Sequence, residues 1–308
     1  MALKACALTS AFSAALRPGA ARLRCRPSAI RRSSSSSSSA DIPWHAAADE
    51  AAAAMRDAES ILFVTGAGIS ADSGMPTYRG VSGLYEKADT PEGLAIEECL
   101  SGGMLAANPD LTWKYLLQIE RACRESKPNR VHHIIAGLGK KKRVTVLTQN
   151  VDGLHLEAGS GDVIEIHGNV HRLECTSCGA KTTAENYVEI EKAPVPPVCS
   201  SCGGMIRPQV VLFDEALPAD EIQRLDAAVN LRRMSGADGD GGPANGRFDV
   251  SVLVGTTAGF RYIVEAAWSA RTKIEINPGE TPVSNLVTIR VQAGAAESLG
   301  YMFPEEGL

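Results

Sequence analysis

Short apolar runs recur along the chain, and most of them stop at a small or polar residue. They cover 61–64 (ILFV), 144–147 (VTVL), 163–166 (VIEI), 250–254 (VSVLV), 273–276 (KIEI) and 287–291 (VTIRV). Runs of four or five residues rich in Val and Ile suit strands buried on both faces, as in a parallel sheet. Helical patterns lie between them. Residues 44–60 are Ala-rich, with Trp44 and Met55 as packing residues. Further helices are expected at 129–138, 219–233 and 261–270, and a short one closes the chain. This alternation predicts an α/β fold with a Rossmann-like parallel sheet. Two stretches interrupt it. Residues 81–130 read as helical and irregular, with the best helices at 90–100 and 111–125. Residues 207–215 form an extended run in which Pro208 points to a sheet edge, open to a peptide added as a further strand. The Gly- and Asp-rich stretch 235–246 reads as a loop.

Ligands of an open parallel sheet bind beyond the carboxyl ends of its strands. There the chain places Thr65-Gly66-Ala67-Gly68-Ile69-Ser70, Thr148-Gln149-Asn150-Val151-Asp152, His167-Gly168, Gly255-Thr256-Thr257 and Asn277. Gly66 and Gly68 would let backbone approach a pyrophosphate at the start of a following helix. Arg79, beyond the helix-breaking Pro76, is placed to clamp a phosphate or position a ribose. Gln149 and Asn150 suit a carboxamide or a ribose. Asp152 can accept from an amide NH₂, and His167 can move a proton near neutral pH. Taken alone, a helix cap at Asn150 and Asp152 and a solvated His167 fit equally well. An ordinary dinucleotide fold also wants an acid about twenty residues after its glycine turn. Asp89 falls instead in a loop-like stretch, which weakens a dehydrogenase reading.

Composition narrows the class. Hydrophobic residues make up 44% and charged residues 22%, as in a soluble globular protein. No apolar run is long enough to predict a membrane span. The first 40 residues hold Lys4, Arg17, Arg22, Arg24, Arg26, Arg31 and Arg32 with no acid, and end in a run of serines. That pattern predicts a disordered transit peptide for the mitochondrial matrix, with the plastid stroma as the alternative. Without it, 24 basic residues face 36 acids, a net charge of −12. So acidic a body argues against direct nucleic-acid binding. Cys175, Cys178, Cys199 and Cys202 form two Cys-x-x-Cys knuckles, a strong signature of a tetrahedral zinc. Four thiolates leave no open position, so one structural Zn²⁺ per chain is expected.

Together these motifs resemble the sirtuin family, in the family's order and over about residues 45–300. The resemblance implies NAD as co-substrate, bound between a Rossmann-like domain (41–80, 131–170 and 208–308) and a smaller domain. The smaller domain would comprise a helical module (81–130) and a zinc-binding module (171–207). It implies an NAD-dependent protein-lysine deacylase that yields nicotinamide, O-acyl-ADP-ribose and free lysine. Acyl-lysine proteins are the expected partners, and a monomer is the expected state. By similarity His167 is the general base, acting with Asn150 and Asp152. Gly66, Ala67, Gly68, Ser70, Arg79, Gln149, Asn150, Asp152, Gly255, Thr256 and Asn277 hold the cofactor, and Tyr78, Val211 and Phe213 meet the substrate. Two departures stand out: Tyr78 replaces a frequent Phe, and Asp214 replaces the glycine of the usual Phe-Gly-Glu loop. Tyr85 lacks the arginine three residues on that marks a subgroup acting on succinyl or malonyl lysine. The rival readings are mono-ADP-ribosyl transfer on the same fold and a zinc-ribbon binding module.

Overall fold

The structure, a computed structural model, describes residues 43–75, 90–229 and 248–306. The leader, Tyr78, Arg79, Tyr85, Asp89 and the 235–246 stretch lie outside the described residues. In chain order the elements are α1 (His45–Asp57), β1 (Ser60–Thr65), two 3₁₀ turns (Ala67–Ile69 and Ala71–Ser73), α2 (Ile96–Cys99), α3 (Gly102–Ala107), α4 (Pro109–Glu125), α5 (Arg130–Gly139) and β2 (Arg143–Thr148). There follow α6 (Leu154–Glu157), β3 (Val163–Glu165), β4 (Gly168–Cys175), β5 (Lys181–Thr183), a 3₁₀ turn (Ile190–Lys192), β6 (Ile206–Val210) and α7 (Ala219–Val229). The chain closes with β7 (Phe248–Val254), α8 (Arg261–Ala267), β8 (Ala270–Ile276), β9 (Ile289–Val291) and α9 (Ala295–Met302).

Every predicted apolar run is a strand, and the six of them form one parallel sheet in the order β3-β2-β1-β7-β8-β9. The direction of winding reverses between β1 and β7, so a crevice opens there at the carboxyl ends. β1 is central and buried along its whole length. Its alternate side chains feed two cores: Ile61 and Phe63 pack with α1, α5 and α9, and Leu62 and Val64 with α7 and α8. Burying these four side chains contributes about 6–12 kcal/mol before the entropy of ordering the chain is counted. In α1, Ala48, Ala51, Ala52 and Met55 are the buried stripe, at the spacing of one helix face. Asn129 caps α5 by accepting from the Val131 N–H, and its Nδ2 donates to the Ile69 carbonyl at 2.6 Å and to Ser73 Oγ at 2.9 Å. The cap thus also fixes the turn that follows β1.

The second unit is a three-stranded antiparallel sheet, β5-β4-β6, covered by α2, α3 and α4. The helical segment and the cysteine-bearing segment share one core. Trp113 on α4 lies 5.9 Å from Tyr187, whose backbone N–H donates to the fully buried Glu120. Arg124 pairs with Glu120 at 2.9 Å and with Glu191 at 2.7 Å, so the buried carboxylate is matched by charge and by hydrogen bond.

Three local expectations fail. The glycine turn does not open directly into a helix among the described residues; it closes into the two 3₁₀ turns, and Gly74 ends them with φ +82°. The helix expected at 90–100 starts only at Ile96, because Pro91 and Gly93 fold residues 90–94 into a turn closed by the Gly93 N–H on the Thr90 carbonyl. The extended run at 207–215 ends at Val210. Asp214 then takes φ +67°, and the chain bends back so that the Gly102 N–H meets both the Phe213 carbonyl and Asp214 Oδ1.

Candidate functional site

The carboxyl ends of β1, β2, β3, β7 and β8 deliver Ser70, the Gln149–Asp152 segment, His167, Thr256 and Asn277 to one side of the large sheet. Beyond β1 and β7, Gly66 and Gly68 pack against Gly255 backbone to backbone. The Gly68 N–H donates to the Gly255 carbonyl at 2.8 Å, and a Cβ on Gly68 would lie 2.7 Å from Gly255 Cα. These glycines therefore let two loops meet at the switch point, a role beyond the phosphate approach expected of them.

Asn150, Asp152 and Ser70 form a buried triad. Ser70 Oγ donates to Asp152 Oδ2 at 2.8 Å, and Asn150 Nδ2 donates to Ser70 Oγ and to the Gly66 carbonyl, both at 3.1 Å. Asp152 Oδ1 accepts from the Leu154 N–H at 3.0 Å, so Asp152 also begins α6. Asp152 thus both shapes the turn into α6 and belongs to the buried triad, whereas Asn150 bonds to Ser70 and Gly66 and caps no helix. Burial raises the Asp152 carboxyl above its ordinary range, against the pull of the Leu154 and Ser70 hydrogen bonds. Gln149 Nε2 reaches Thr256 Oγ1 at 2.8 Å, and Asn277 Nδ2 donates to the Thr256 carbonyl at 3.0 Å. One polar chain thereby spans the ends of β2, β7 and β8.

His167 sits where the chain leaves the large sheet. β3 ends two residues before it, and β4 of the small sheet starts at Gly168. Gly168 has φ +82°, and a Cβ there would lie 1.9 Å from the Gln209 carbonyl, so only glycine fits where β4 meets β6. The return crossing is tied to the same residue: the Val211 N–H donates to the His167 carbonyl at 2.9 Å. Glu165 braces the crossing by accepting from Asn169 at 2.7 Å and pairing with Arg172. The ring donates from Nδ1 to the Gln149 carbonyl at 2.9 Å, and its Nε2 lies 2.5 Å from the Tyr262 hydroxyl. Burial holds the imidazole below its ordinary pKa of 6.5, although the Gln149 carbonyl favours the charged form. Tyr262 and Phe260, which packs edge-on to His167 at 5.8 Å, were not legible as site residues. Both lie at the start of α8, and nothing in the local sequence separates them from core residues.

The other expected residues fall in two places. Val211 adjoins His167. Phe213 is half exposed and bonded through its backbone to Leu100 and Gly102 of the helical segment. The four cysteine sulfurs lie within 4.8 Å of one another, with Cys175–Cys202 at 3.5 Å and Cys178–Cys199 at 3.8 Å. Thiolates tetrahedral about zinc stand about 3.8 Å apart, so the cluster fits Zn²⁺ and is too open for disulfides.

A model of the Sir2 family matches residues 66–233. The chain is 45% identical over 254 residues to an NAD-dependent protein deacylase of Pseudomonas aeruginosa, covering 80% of this chain and 92% of the relative. The chain belongs to the Sir2 family, the sirtuins. A sirtuin of Aquifex aeolicus, named an NAD-dependent protein deacylase, is 35% identical over 78% of this chain and 92% of its own. Among solved sirtuin structures, a Sir2 homologue in complex with NAD superposes with TM-score 0.70 at 30% identity, covering 83% of this chain and 92% of that one. A Sir2 homologue with ADP-ribose gives 0.71 at 29%, covering 83% and 95%. The carboxamide, hydroxyl and imidazole groups gathered at the sirtuin crevice suit a ribose and a carboxamide.

Proposed function

We propose that the chain is an NAD-dependent protein-lysine deacylase that turns NAD and an acyl-lysine protein into nicotinamide, O-acyl-ADP-ribose and free lysine. The observation that carries this reading is His167. It stands at both chain crossings between the two sheets, with Nδ1–H held by the Gln149 carbonyl, so that Nε2 is the nitrogen that can accept a proton, and the segment that holds it leads into the Asn150–Ser70–Asp152 triad. Bound NAD supplies an electrophilic ribose carbon and a leaving group. Asn150 and Asp152 hold the nicotinamide end, Thr256 and Asn277 the adenosine end, and His167 takes a proton from a ribose hydroxyl. Val211 and Phe213 line the acyl-lysine approach. The cysteine cluster holds zinc away from the reaction, as a structural ion.

The test is turnover of acetyl-, longer uncharged acyl- and succinyl-lysine peptides with NAD, read by mass spectrometry. With no arginine three residues after Tyr85, a succinyl carboxylate lacks its partner. The uncharged acyl groups should give the higher kcat/KM. NAD consumption that leaves ADP-ribose on protein and no deacylated peptide would replace deacylation with transfer. The Arg- and Ser-rich leader further supports import into mitochondria, with plastids second. Residues 1–40 fused to a fluorescent protein should carry it there, and a diffuse cytosolic signal would reject the idea.

A further inference from the structure

The imidazole of His167 has one nitrogen free to act. A carbonyl oxygen only accepts, so the nitrogen 2.9 Å from the Gln149 carbonyl carries the hydrogen. In the neutral ring the other nitrogen, Nε2, then has a single lone pair. The Tyr262 hydroxyl lies 2.5 Å from it and must be the donor. Burial raises the Tyr262 phenol above its ordinary range, so it keeps its proton. Phe260 stacks on Tyr262 at 5.5 Å with the rings within 18° of parallel, lies nearly perpendicular to the imidazole at 5.8 Å, and is 44% exposed. The acceptor that deacylation needs is therefore already in use, held by an aromatic pair that reaches the surface.

We propose that Tyr262 caps the catalytic base of the free enzyme, and that NAD binds productively only by exchanging a ribose hydroxyl for the Tyr262 phenol at His167 Nε2. One lone pair accepts one strong hydrogen bond, so the two donors compete. The cap keeps the ring in the Nδ1–H form and oriented before cofactor arrives, and it sets a cost on binding. Tyr262 is thus a positioning residue whose hydroxyl stands where the ribose hydroxyl must come. The inference rests on His167 being the base.

The experiment combines ¹⁵N-histidine NMR with binding of ADP-ribose, neither of which requires acyl-lysine turnover. In the wild type, ADP-ribose should change the Nε2 resonance of His167 and leave Nδ1–H in place. Tyr262→Phe removes only the hydroxyl. It should change the Nε2 resonance of the free protein, bind ADP-ribose about threefold to tenfold more tightly, and lower KM for NAD by a similar factor. Unchanged Nε2 resonances in the variant, or unchanged affinity, overturn the cap. So does a fall in kcat of about 10²-fold or more with KM unaltered, which would make the phenol a proton carrier in the reaction. If Tyr262→Phe fails to fold, the wild-type titration decides: an Nε2 resonance indifferent to ADP-ribose rejects the exchange. Failure of the deacylase reading is separate, because it appears as wild-type protein that binds ADP-ribose and forms no product.

Discussion

At the scale of single residues, burial and hydrogen bonding set the chemistry of His167. A depressed pKa means that the imidazole stays neutral at pH values where a solvated histidine begins to charge. A base must be neutral to act, so activity is lost as pH falls through a value below 6.5, the group's ordinary pKa. The acid limb of kcat/KM should lie below that value. His167→Ala should turn over acyl-lysine ~10²–10⁴-fold more slowly and lose the limb, while keeping its zinc. Near-normal turnover in that variant would move the role of base to another residue. Nicotinamide exchange separates this from the triad. Losing Asn150 would take away the donor to Ser70 Oγ and one of two donors to the Gly66 carbonyl, and would harm the nicotinamide step as well.

Among elements, β4 links metal and site. It begins at Gly168, directly after the base, and ends at Cys175, the first of the clustered thiols. β6 returns from the second knuckle and delivers Val211 to the His167 carbonyl. A zinc that ties the knuckles together therefore also fixes the strand pair behind His167. One zinc per chain should be found by elemental analysis. Cys175→Ala or Cys202→Ala should lose it and destabilise the protein by more than ~4 kcal/mol, read by denaturant melts. A stable, active, metal-free variant would show that the cluster has no structural metal. Asp214 makes a smaller element-level point. Its left-handed backbone is strained for a residue with a Cβ, yet its carboxylate accepts from the Gly102 and Gly103 N–H groups at the start of α3.

At the scale of the whole molecule, two sheets share one chain that crosses between them at His167 and back at Val211. The strands of the large sheet were legible because each is a compact apolar run, and an apolar run reports burial on both faces wherever the strand lies. The knuckles were legible because two residues of spacing between thiols already define half a tetrahedron. Polar residues after the strands pointed to one crevice because a parallel sheet sends all its carboxyl ends to one side. Sequence could not show that Gly66 and Gly68 pack on Gly255, that Gln149 reaches Thr256 across β1, or that Tyr262 meets His167. Each of those contacts spans 95 residues or more, from 95 for Tyr262–His167 to 107 for Gln149–Thr256 and wider still for the glycine pairs. They exist only because the sheet order places β1 between β2 and β7 and because α8 packs against β1 and β7. Propensity and periodicity act over a turn or a strand. Which turn faces which strand end is decided by how the buried faces pack, and that is settled only in the folded molecule.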